Sequence, residues 1–302
     1  MSLDELRDLL ERHARPDMTT AVDGVLISRV ERTTSPSPAM SGTVLALIAQ
    51  GAKHIALGDR VYSYGAGQYL VASVDMPITG RFTEASPDRP AVGFGLVLRP
   101  AVVAELLLQA APGDLPPSAG VPSGMAVNEA SAELVDAVTR LVRLLDRPRD
   151  IAVLAPLVER EILWRLITGE QGAVVRQLGL ADSGLAHIAG AVRWIRDNHA
   201  ESFRVEDVAR LAAMSTSAFY RNFQAVTAMS PIQFQKQIRL QRARLLLATD
   251  PDDVAGVSRR VGYDSPSQFS REYRRQFGAP PSQDAARLRG TSPALSLERV
   301  NL

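Results

Sequence analysis

The chain has 302 residues, with 34 basic and 33 acidic side chains, 46% apolar residues and no cysteine. The lack of cysteine excludes disulfide scaffolds, cysteine zinc sites and thiol nucleophiles, and no apolar run approaches the roughly 20 residues that span a bilayer. The length predicts two domains, since a domain usually holds about 100 to 200 residues. The N-terminus predicts an amphipathic helix with a capping box between Ser2 and Glu5. It has no secretion signal, so we expect a cytoplasmic protein.

The near-zero net charge hides an uneven distribution along the chain. Residues 187–290 hold 16 Lys and Arg against 10 Asp and Glu, a net charge of +6. Residues 1–186 hold 17 basic against 22 acidic side chains, a net charge of −5. The basic C-terminal region predicts a nucleic-acid partner. The opposite signs also suggest that the acidic region docks against the basic one in an inactive state.

The first hundred residues predict short strands. Apolar runs are separated by turns that contain glycine, and the runs are Thr43–Ala49, His54–Leu57, Arg60–Ser63 and Gln68–Val74. Strands this short, with turns this close together, predict a sandwich or a small barrel. Aromatic residues of this region are candidates for the apolar wall of an effector site, although strand aromatics belong to the core more often. They are Tyr62, Tyr64, Tyr69, Phe82 and Phe94.

From Ala101 onward the apolar spacing becomes helical. A stripe from Leu134 to Leu145 repeats at steps of three and four residues, and Ile151–Thr168 continues as helix. The stripe has two interpretations, either packing onto its own domain or forming a dimer interface. Gly169–Gly184 predicts a hinge before the basic region.

The basic region contains an internal duplication. The stretch Val205–Phe223, followed by Ser230-Pro231, recurs as Val254–Tyr273, followed by Pro280-Pro281. Each copy predicts a helix, a tight turn and a second helix. Between the copies, Ile232–Ala248 predicts one helix whose 17 residues span roughly 26 Å. Such a rigid element can place the two second helices about one turn of DNA apart, roughly 34 Å, which is typical of paired helix-turn-helix readers.

The second copy carries a family motif. Residues 260–281 resemble the signature of AraC/XylS-type transcription regulators, and the upstream copy and the connecting helix fit the same seven-helix domain. Residues 50–80 are similar to the cupin-like N-terminal domain of one branch of that family. Two residues depart from the family pattern. Ser258 stands where Ala is usual, and we expect its hydroxyl to form a hydrogen bond with the preceding helical turn. Ala213 stands where Gly is common, so we expect a slightly different turn geometry there.

The resemblance implies an α+β protein. It has a cupin-like N-terminal β-barrel or sandwich, linking helices, and an all-α C-terminal domain with two helix-turn-helix motifs. The expected boundaries are 1–125 for the regulatory effector domain, 126–184 for a helical linker and candidate dimerisation region, and 185–290 for the DNA-binding domain. The two motifs are expected at about 204–227 and 253–277.

Matching the family positions onto this sequence implies which residues contact DNA. The base contacts are Thr216, Ser217, Tyr220, Arg221, Ser267, Gln268 and Arg271. The phosphate contacts are Ser215, Arg239, Ser265, Arg274 and Arg275. The chemistry agrees, because Arg can bond guanine through two atoms, Gln can bond adenine, and Ser or Thr can approach either base edge. Arg221 and Arg271 are the leading candidates. Four aromatic residues are expected in the core instead, Phe219, Phe223, Phe269 and Tyr273.

Three functional classes are open. A sequence-specific transcription regulator, controlled by a small effector in the N-terminal domain, is favoured over a cupin enzyme fused to a DNA-binding domain and over a nonspecific architectural DNA binder. The enzyme is disfavoured because His54 is the one histidine within the barrel sequence, and a metal needs more ligands. We therefore expect no catalytic residue, metal or cofactor. We expect a homodimer that binds double-stranded promoter DNA. A small effector and RNA polymerase are further expected partners, and no membrane is involved.

Overall fold

The N-terminal region consists of two antiparallel sheets. The computed structural model describes residues 2–111, 113–116, 123–170, 172–180, 184–249 and 253–289, so the expected domain end at 290 lies outside the described residues. The strands are β1 (Val25–Val30), β2 (Ser37–Met40), β3 (Val44–Gln50), β4 (Ala52–Leu57), β5 (Arg60–Gly65), β6 (Gln68–Ala72), β7 (Pro77–Glu84), β8 (Ala91–Val97) and β9 (Met125–Glu129). One sheet has the order β1-β8-β3-β6-β9 and the other β2-β7-β4-β5. The predicted sandwich is confirmed.

The five-stranded sheet is buried on both faces, which explains its sequence. All of β3 is buried, so its residues form a continuous apolar run without alternation. Leu45 and Leu47 point into a core shared with helices, whereas Ala46 and Ile48 point into a core shared with the four-stranded sheet. In β4, by contrast, buried and half-buried residues alternate, because only one face of that strand points into the sandwich.

Helices cover the outer face of the five-stranded sheet. They are α1 (Leu3–His13), α2 (Pro100–Gln109), α3 (Ala132–Arg143), α4 (Pro148–Thr168) and α5 (Gly172–Gly179), with a 3₁₀ turn at Leu144–Asp146. The stripe that starts at Leu134 is buried in the core of this region up to Leu141, so it packs onto its own domain. Ser2 caps α1 as predicted, because its Oγ accepts a hydrogen bond from Glu5 N at 3.3 Å.

The segment expected to be a hinge contains a helix instead. α5 occupies 172–179 and packs against α2 and α4. Gly179 lies against α2 so closely that a Cβ atom there would be 2.7 Å from Ala104 N. The glycines that suggested a flexible hinge are therefore explained in part by close helix packing.

The C-terminal region is helical. Its helices are α6 (Gly184–Asp197), α7 (Val205–Leu211), α8 (Thr216–Thr227), α9 (Pro231–Thr249), α10 (Val254–Arg260), α11 (Pro266–Phe277) and α12 (Pro281–Arg289). The pairs α7–α8 and α10–α11 are the two helix-turn-helix motifs, and α9 is the predicted connecting helix. Among the described helices, none is long and apolar enough to cross a membrane.

The two motifs differ in how they are attached to the rest of the molecule. The first shares one continuous core with the sandwich, whereas the second has a core of its own. Polar contacts add to the junction of the first motif and α9 with the sandwich. They are an ion pair between Asp75 Oδ2 and Arg196 Nη1 at 2.5 Å, a hydrogen bond from Gly124 N to Val226 O at 3.0 Å, and one from Gln241 Nε2 to Ala39 O at 3.3 Å. The acidic and basic regions are thus in contact, mainly through apolar residues.

Candidate nucleic-acid interface

The turns of both helix-turn-helix motifs begin in the same way. Ala213 and Gly262 have positive φ angles of 51° and 87°. The next residue in each motif donates its N–H back to the first helix. These bonds are Met214 N to Ala209 O and Tyr263 N to Ser258 O, each 3.0 Å long. Up to the turn, each residue of the first motif therefore corresponds to the residue 49 positions later in the second, as 213 does to 262. Ala213 adopts the same left-handed conformation as the glycine that it replaces, at a cost of about 1 kcal/mol.

The second helix of each motif begins at a serine cap and ends at a left-handed residue. The caps are Ser215 Oγ, which accepts from Ala218 N at 3.4 Å, and Ser265 Oγ, which accepts from Gln268 N at 3.3 Å. The end residues are Ala228 and Gly278, with φ of 55° and 76°. After the turn, corresponding residues are 50 positions apart, as 215 and 265 are. The turn of the second motif is therefore one residue longer. Arg221 and Arg271 consequently occupy the same position on α8 and α11.

Aromatic residues fix each second helix to its neighbours. Phe219 and Phe223 are fully buried, with ring centroids 5.3 Å apart, and Phe223 also meets Phe234 of α9 edge-on at 5.5 Å. In the second motif Phe269 and Tyr273 repeat the arrangement at 5.5 Å. Their assignment to the core is confirmed. Because these side chains hold one face of each helix inward, the opposite face is presented to solvent.

That outward face carries the predicted base contacts. Six of the seven are exposed and Thr216 is half-buried; the exposed ones are Ser217, Tyr220, Arg221, Ser267, Gln268 and Arg271. Arg274 and Arg275 are exposed beside them. No ion pair links Arg221 or Arg271 to an acidic group in the part of the chain that the structure describes. Their guanidinium groups are therefore available to an outside anion or base edge.

The two serine caps remain compatible with their predicted phosphate contacts. Each Oγ of Ser215 and Ser265 accepts a backbone hydrogen bond. The hydroxyl proton of a capping serine can still donate to a second acceptor. Both serines lie at the positive end of a helix, where anions are favoured.

Arg239, a predicted phosphate contact, points into the DNA-binding region. Its guanidinium donates to backbone oxygens inside the domain, at His199 O (2.6 Å), Gly262 O (2.7 Å), Glu201 O (3.1 Å) and Ala200 O (3.2 Å). Burial lowers the pKa of this guanidinium. These bonds tie the segment after α6 to the turn of the second motif. The geometry favours a structural role for Arg239 over a phosphate contact.

Gln268 is held by a network that the sequence did not indicate. Its Nε2 donates to Glu272 Oε1 at 3.3 Å, and Lys236 Nζ lies 2.9 Å from the same oxygen. Tyr263 OH donates to Glu272 Oε2 at 2.8 Å. Burial alone would raise the pKa of Glu272, but the hydrogen bonds from Lys236, Tyr263 and Gln268 outweigh it and lower the pKa. The ionised Glu272 thus restricts the amide of Gln268 at the start of α11.

The prediction for the Ser258 hydroxyl is wrong. Ser258 is fully buried, and its Oγ has no hydrogen-bond partner in the described part of the chain. Its counterpart in the first motif, Ala209, is buried equally well without a polar atom. Ser258 is therefore buried where the first motif has an alanine, and its hydroxyl is left unsatisfied among the described residues.

The interior of the sandwich holds a buried lysine among aromatic side chains. Lys53 lies between Tyr64 and Phe82 in the strand register, is fully buried, and has its Nζ 4.9 Å from the Phe82 ring centroid. Burial lowers the pKa of Lys53 to about 7. The Tyr64 hydroxyl is buried without a partner among the described atoms. Tyr69 and Phe94 point instead into the core on the helical side of the sheet. Four of the five aromatic candidates are thus core residues.

His54 does not belong to a metal cluster in the described residues. Its neighbours in the strand register are Ser63 and Arg81, neither of which is a usual metal ligand. More generally, no group of three or more His, Asp or Glu side chains within the described ranges could hold a metal ion.

Comparison with known proteins identifies the family. The family described as "AraC-type transcriptional regulator N-terminus" matches residues 21–174, and the one described as "Helix-turn-helix domain" matches residues 208–287. The first match covers more than half of the chain. The chain therefore belongs to the AraC-type transcriptional regulators.

Relatives agree with this assignment, and a solved structure shares the fold. The chain is 30% identical over 132 residues to the HTH-type transcriptional regulator MtrA of Neisseria gonorrhoeae, a stretch that covers 44% of this chain and 42% of MtrA. It is 26% identical over 148 residues to the HTH-type transcriptional activator RhaS of Escherichia fergusonii, covering 48% and 52%. The matches thus span about half the length of these relatives. An apo variant of ToxT from Vibrio cholerae has the same fold, with a TM-score of 0.54 at 11% identity, covering 89% of this chain and 100% of that one.

Proposed function

We propose that this protein is a sequence-specific regulator of transcription that reads DNA with α8 and α11. The observation that carries the proposal is the equivalence of Arg221 and Arg271, each on the solvent-exposed face of a capped second helix. The two second helices have equivalent serine caps and the same aromatic packing, so they present the same chemistry twice. Arginine at such a position can bond guanine O6 and N7 in the major groove.

The connecting helix supports simultaneous contact of both readers. α9 has 19 residues, which corresponds to about 28 Å of helix. Aromatic and polar contacts fix both motifs to it, through Phe234 on the side of α8 and through Lys236 on the side of α11. Successive major grooves on one face of B-DNA lie roughly 34 Å apart. A rigid element of this length suits readers that enter neighbouring grooves.

Selection of DNA fragments from a random pool by the full chain tests this proposal. The expected result is an enriched site with two recognition elements about 10 bp apart. An Arg89→Ala variant, which changes an exposed arginine between β7 and β8 of the sandwich, should select the same site. Uniform retention of all fragments would instead favour the nonspecific architectural binder. Loss of affinity with rising salt is expected in either case, because phosphate contacts release counterions.

The enzyme alternative is tested by metal analysis of the purified protein. We propose that the sandwich has a regulatory and not a catalytic role, since the family to which the N-terminal region belongs is one of transcriptional regulators. Stoichiometric iron or manganese would support the cupin enzyme and contradict this part of the proposal.

We further propose that the chain forms a homodimer through the exposed face of α4. Val153 and Leu157 are 67% and 59% exposed, and Leu154 is 40% exposed. Apolar side chains this exposed on one helix favour a second helix as partner. Sedimentation analysis is expected to show a dimer for the wild type and a monomer for Leu157→Glu. A Val61→Glu variant, equally exposed on β5, is the matched control and should remain dimeric. A dimeric Leu157→Glu protein would rule this interface out.

The remaining partners follow from a regulatory role. A small effector bound by the N-terminal domain would control access to promoter DNA, and RNA polymerase would be the partner at the promoter. Such a protein acts in the cytoplasm.

A further inference from the structure

A carboxylate lies beside a predicted base contact in the second motif. Glu272 follows Gln268 by four residues on α11, so their side chains are neighbours on one side of the helix. The Glu272 side chain is 14% exposed. Since DNA is negatively charged, a carboxylate on a DNA-reading helix opposes binding unless other groups neutralise it. Its presence therefore calls for a role other than attraction of DNA.

Two donors from other elements hold this carboxylate. Lys236 Nζ of α9 lies 2.9 Å from Glu272 Oε1, and Tyr263 OH, in the turn before α11, donates to Oε2 at 2.8 Å. Burial raises the pKa of Glu272, but its bonds with Lys236, Tyr263 and Gln268 lower it overall. Glu272 is thus ionised, neutralised by Lys236 and fixed in position from two sides.

An ionised carboxylate determines which way the amide of Gln268 faces. It can accept hydrogen bonds but not donate them, so it attracts the NH2 group of an amide and repels the amide oxygen. Gln268 Nε2 accordingly donates to Glu272 Oε1 at 3.3 Å. One N–H and the carbonyl oxygen of Gln268 remain for an outside partner. Because Gln268 is exposed at the third position of α11, that partner can be a base edge.

We propose that Glu272 is a positioning residue that makes Gln268 specific for adenine. In the major groove adenine presents the N7 acceptor and the N6 donor, which match the remaining donor and acceptor of Gln268. Guanine presents two acceptors, N7 and O6, and its O6 would face the amide oxygen. This inference rests on the proposed function and adds to it the identity of one base and the residue that enforces it.

The first motif lacks the residues for such a network. The residues that correspond to Tyr263, Gln268 and Glu272 are Met214, Ala218 and Asn222. Ala218 has no amide, and Asn222 Nδ2 lies 3.6 Å from Met214 Sδ instead. The adenine that depends on Glu272 therefore belongs to the DNA element bound by α11 and not to the element bound by α8. It distinguishes the two elements and fixes the direction in which the domain lies along DNA.

Fluorescence anisotropy of the full chain on its selected DNA site tests the adenine contact. The element bound by α11 is the one whose base preference depends on Arg271. At one position of this element we expect adenine to bind at least about fivefold more tightly than guanine. At that position 7-deazaadenine, which lacks the N7 acceptor, and unsubstituted purine, which lacks the N6 donor, should each weaken binding about fivefold. Absence of such an adenine, or unchanged binding of either analogue, would overturn the proposal.

Substitutions on α11 test the positioning role. Gln268→Ala removes the amide, and Glu272→Met keeps the length of the side chain but removes both oxygens. Each should reduce the preference for adenine over guanine to within about twofold, and the double variant should reduce it no further. Asn222→Met, a change to the same residue at the equivalent position of α8, should leave the preference at the wild-type value. A structural role of Glu272 would instead lower the melting temperature and weaken binding to all sequences equally, with the preference retained.

Glu272→Ala removes the same oxygens and is measured in parallel. Whichever of the two Glu272 variants has the higher melting temperature decides, and a wild-type preference for adenine in that variant would overturn the positioning role. If the wild type selects no DNA site, the proposed function fails and this inference fails with it. If a site is selected but its α11 element has no position that requires adenine, this inference alone fails.

Discussion

The buried hydroxyl of Ser258 allows a sharp test of packing in the second motif. Its Oγ has no hydrogen-bond partner in the described ranges, and the residue is 0% exposed. Leaving a buried hydroxyl unsatisfied costs about 1 to 3 kcal/mol. Ser258→Ala removes that oxygen and leaves only a small gap, which offsets part of the gain. We therefore expect the free energy of unfolding to rise by about 1 kcal/mol.

The first motif supplies the reciprocal experiment. Ala209 occupies the corresponding position, is 1% exposed, and belongs to a separate core. Ala209→Ser should lower the free energy of unfolding by about 1 kcal/mol, because it buries a hydroxyl in an equivalent site. Since the two cores are independent, the two effects should add and nearly cancel in the double variant. Urea denaturation followed by circular dichroism measures all three variants. A Ser258→Ala protein less stable than the wild type would show that the hydroxyl is satisfied and would refute this reasoning.

Four further substitutions test the turns, Arg239 and Lys53. Gly262→Ala should lower the free energy of unfolding by more than about 2 kcal/mol in thermal melts, because φ is +87° and a Cβ atom would lie 2.1 Å from Ala200 O. At the equivalent position of the first motif, Ala213→Gly should leave the free energy of unfolding unchanged or raise it by up to about 1 kcal/mol. Arg239→Ala should lower the melting temperature as well as any DNA affinity, since the guanidinium donates to four backbone oxygens. An unchanged melting temperature would favour the phosphate contact instead. The pKa of Lys53 is about 7 in the folded chain against 10.5 ordinarily, so between these values the unfolded chain binds the extra proton and wild-type stability rises with pH. Lys53→Met should remove this pH dependence. The variant should therefore unfold at a higher urea concentration than the wild type at about pH 7, and this difference should shrink towards about pH 10. A difference that stays constant with pH would contradict the lowered pKa of Lys53.

The DNA-binding region could be predicted closely because its information is local. The duplication, the serine caps and the aromatic spacing each lie within one motif, and Ala213 marks the turn where the family usually has glycine. The predicted connecting helix over 232–248 corresponds to α9 at Pro231–Thr249 for the same reason, as apolar residues are interleaved with Gln and Arg along the whole stretch.

The features that the sequence did not predict depend on distant contacts. α5 is short and bounded by glycines, and its packing on α2 involves residues about 75 positions away, at Gly179 and Ala104. The Asp75–Arg196 pair joins residues 121 positions apart. Arg239 looks like any other surface arginine in the sequence, and only the fold brings four carbonyl oxygens to it. Burial of an individual polar group is therefore the property that the pattern of residues predicts least well.

The central claim is that α8 and α11 read two successive major grooves with equivalent arginines. Starting from the selected DNA site, fluorescence anisotropy of the full chain against each single-base variant tests it most directly. Arg221→Ala and Arg271→Ala should each cost about 1 to 3 kcal/mol and remove base preference at one position, with the two positions about 10 bp apart. Arg89→Ala should match the wild type at every base. If both arginine variants lose affinity uniformly over all sequences, the arginines contact phosphates and the claim of two base-reading helices is contradicted.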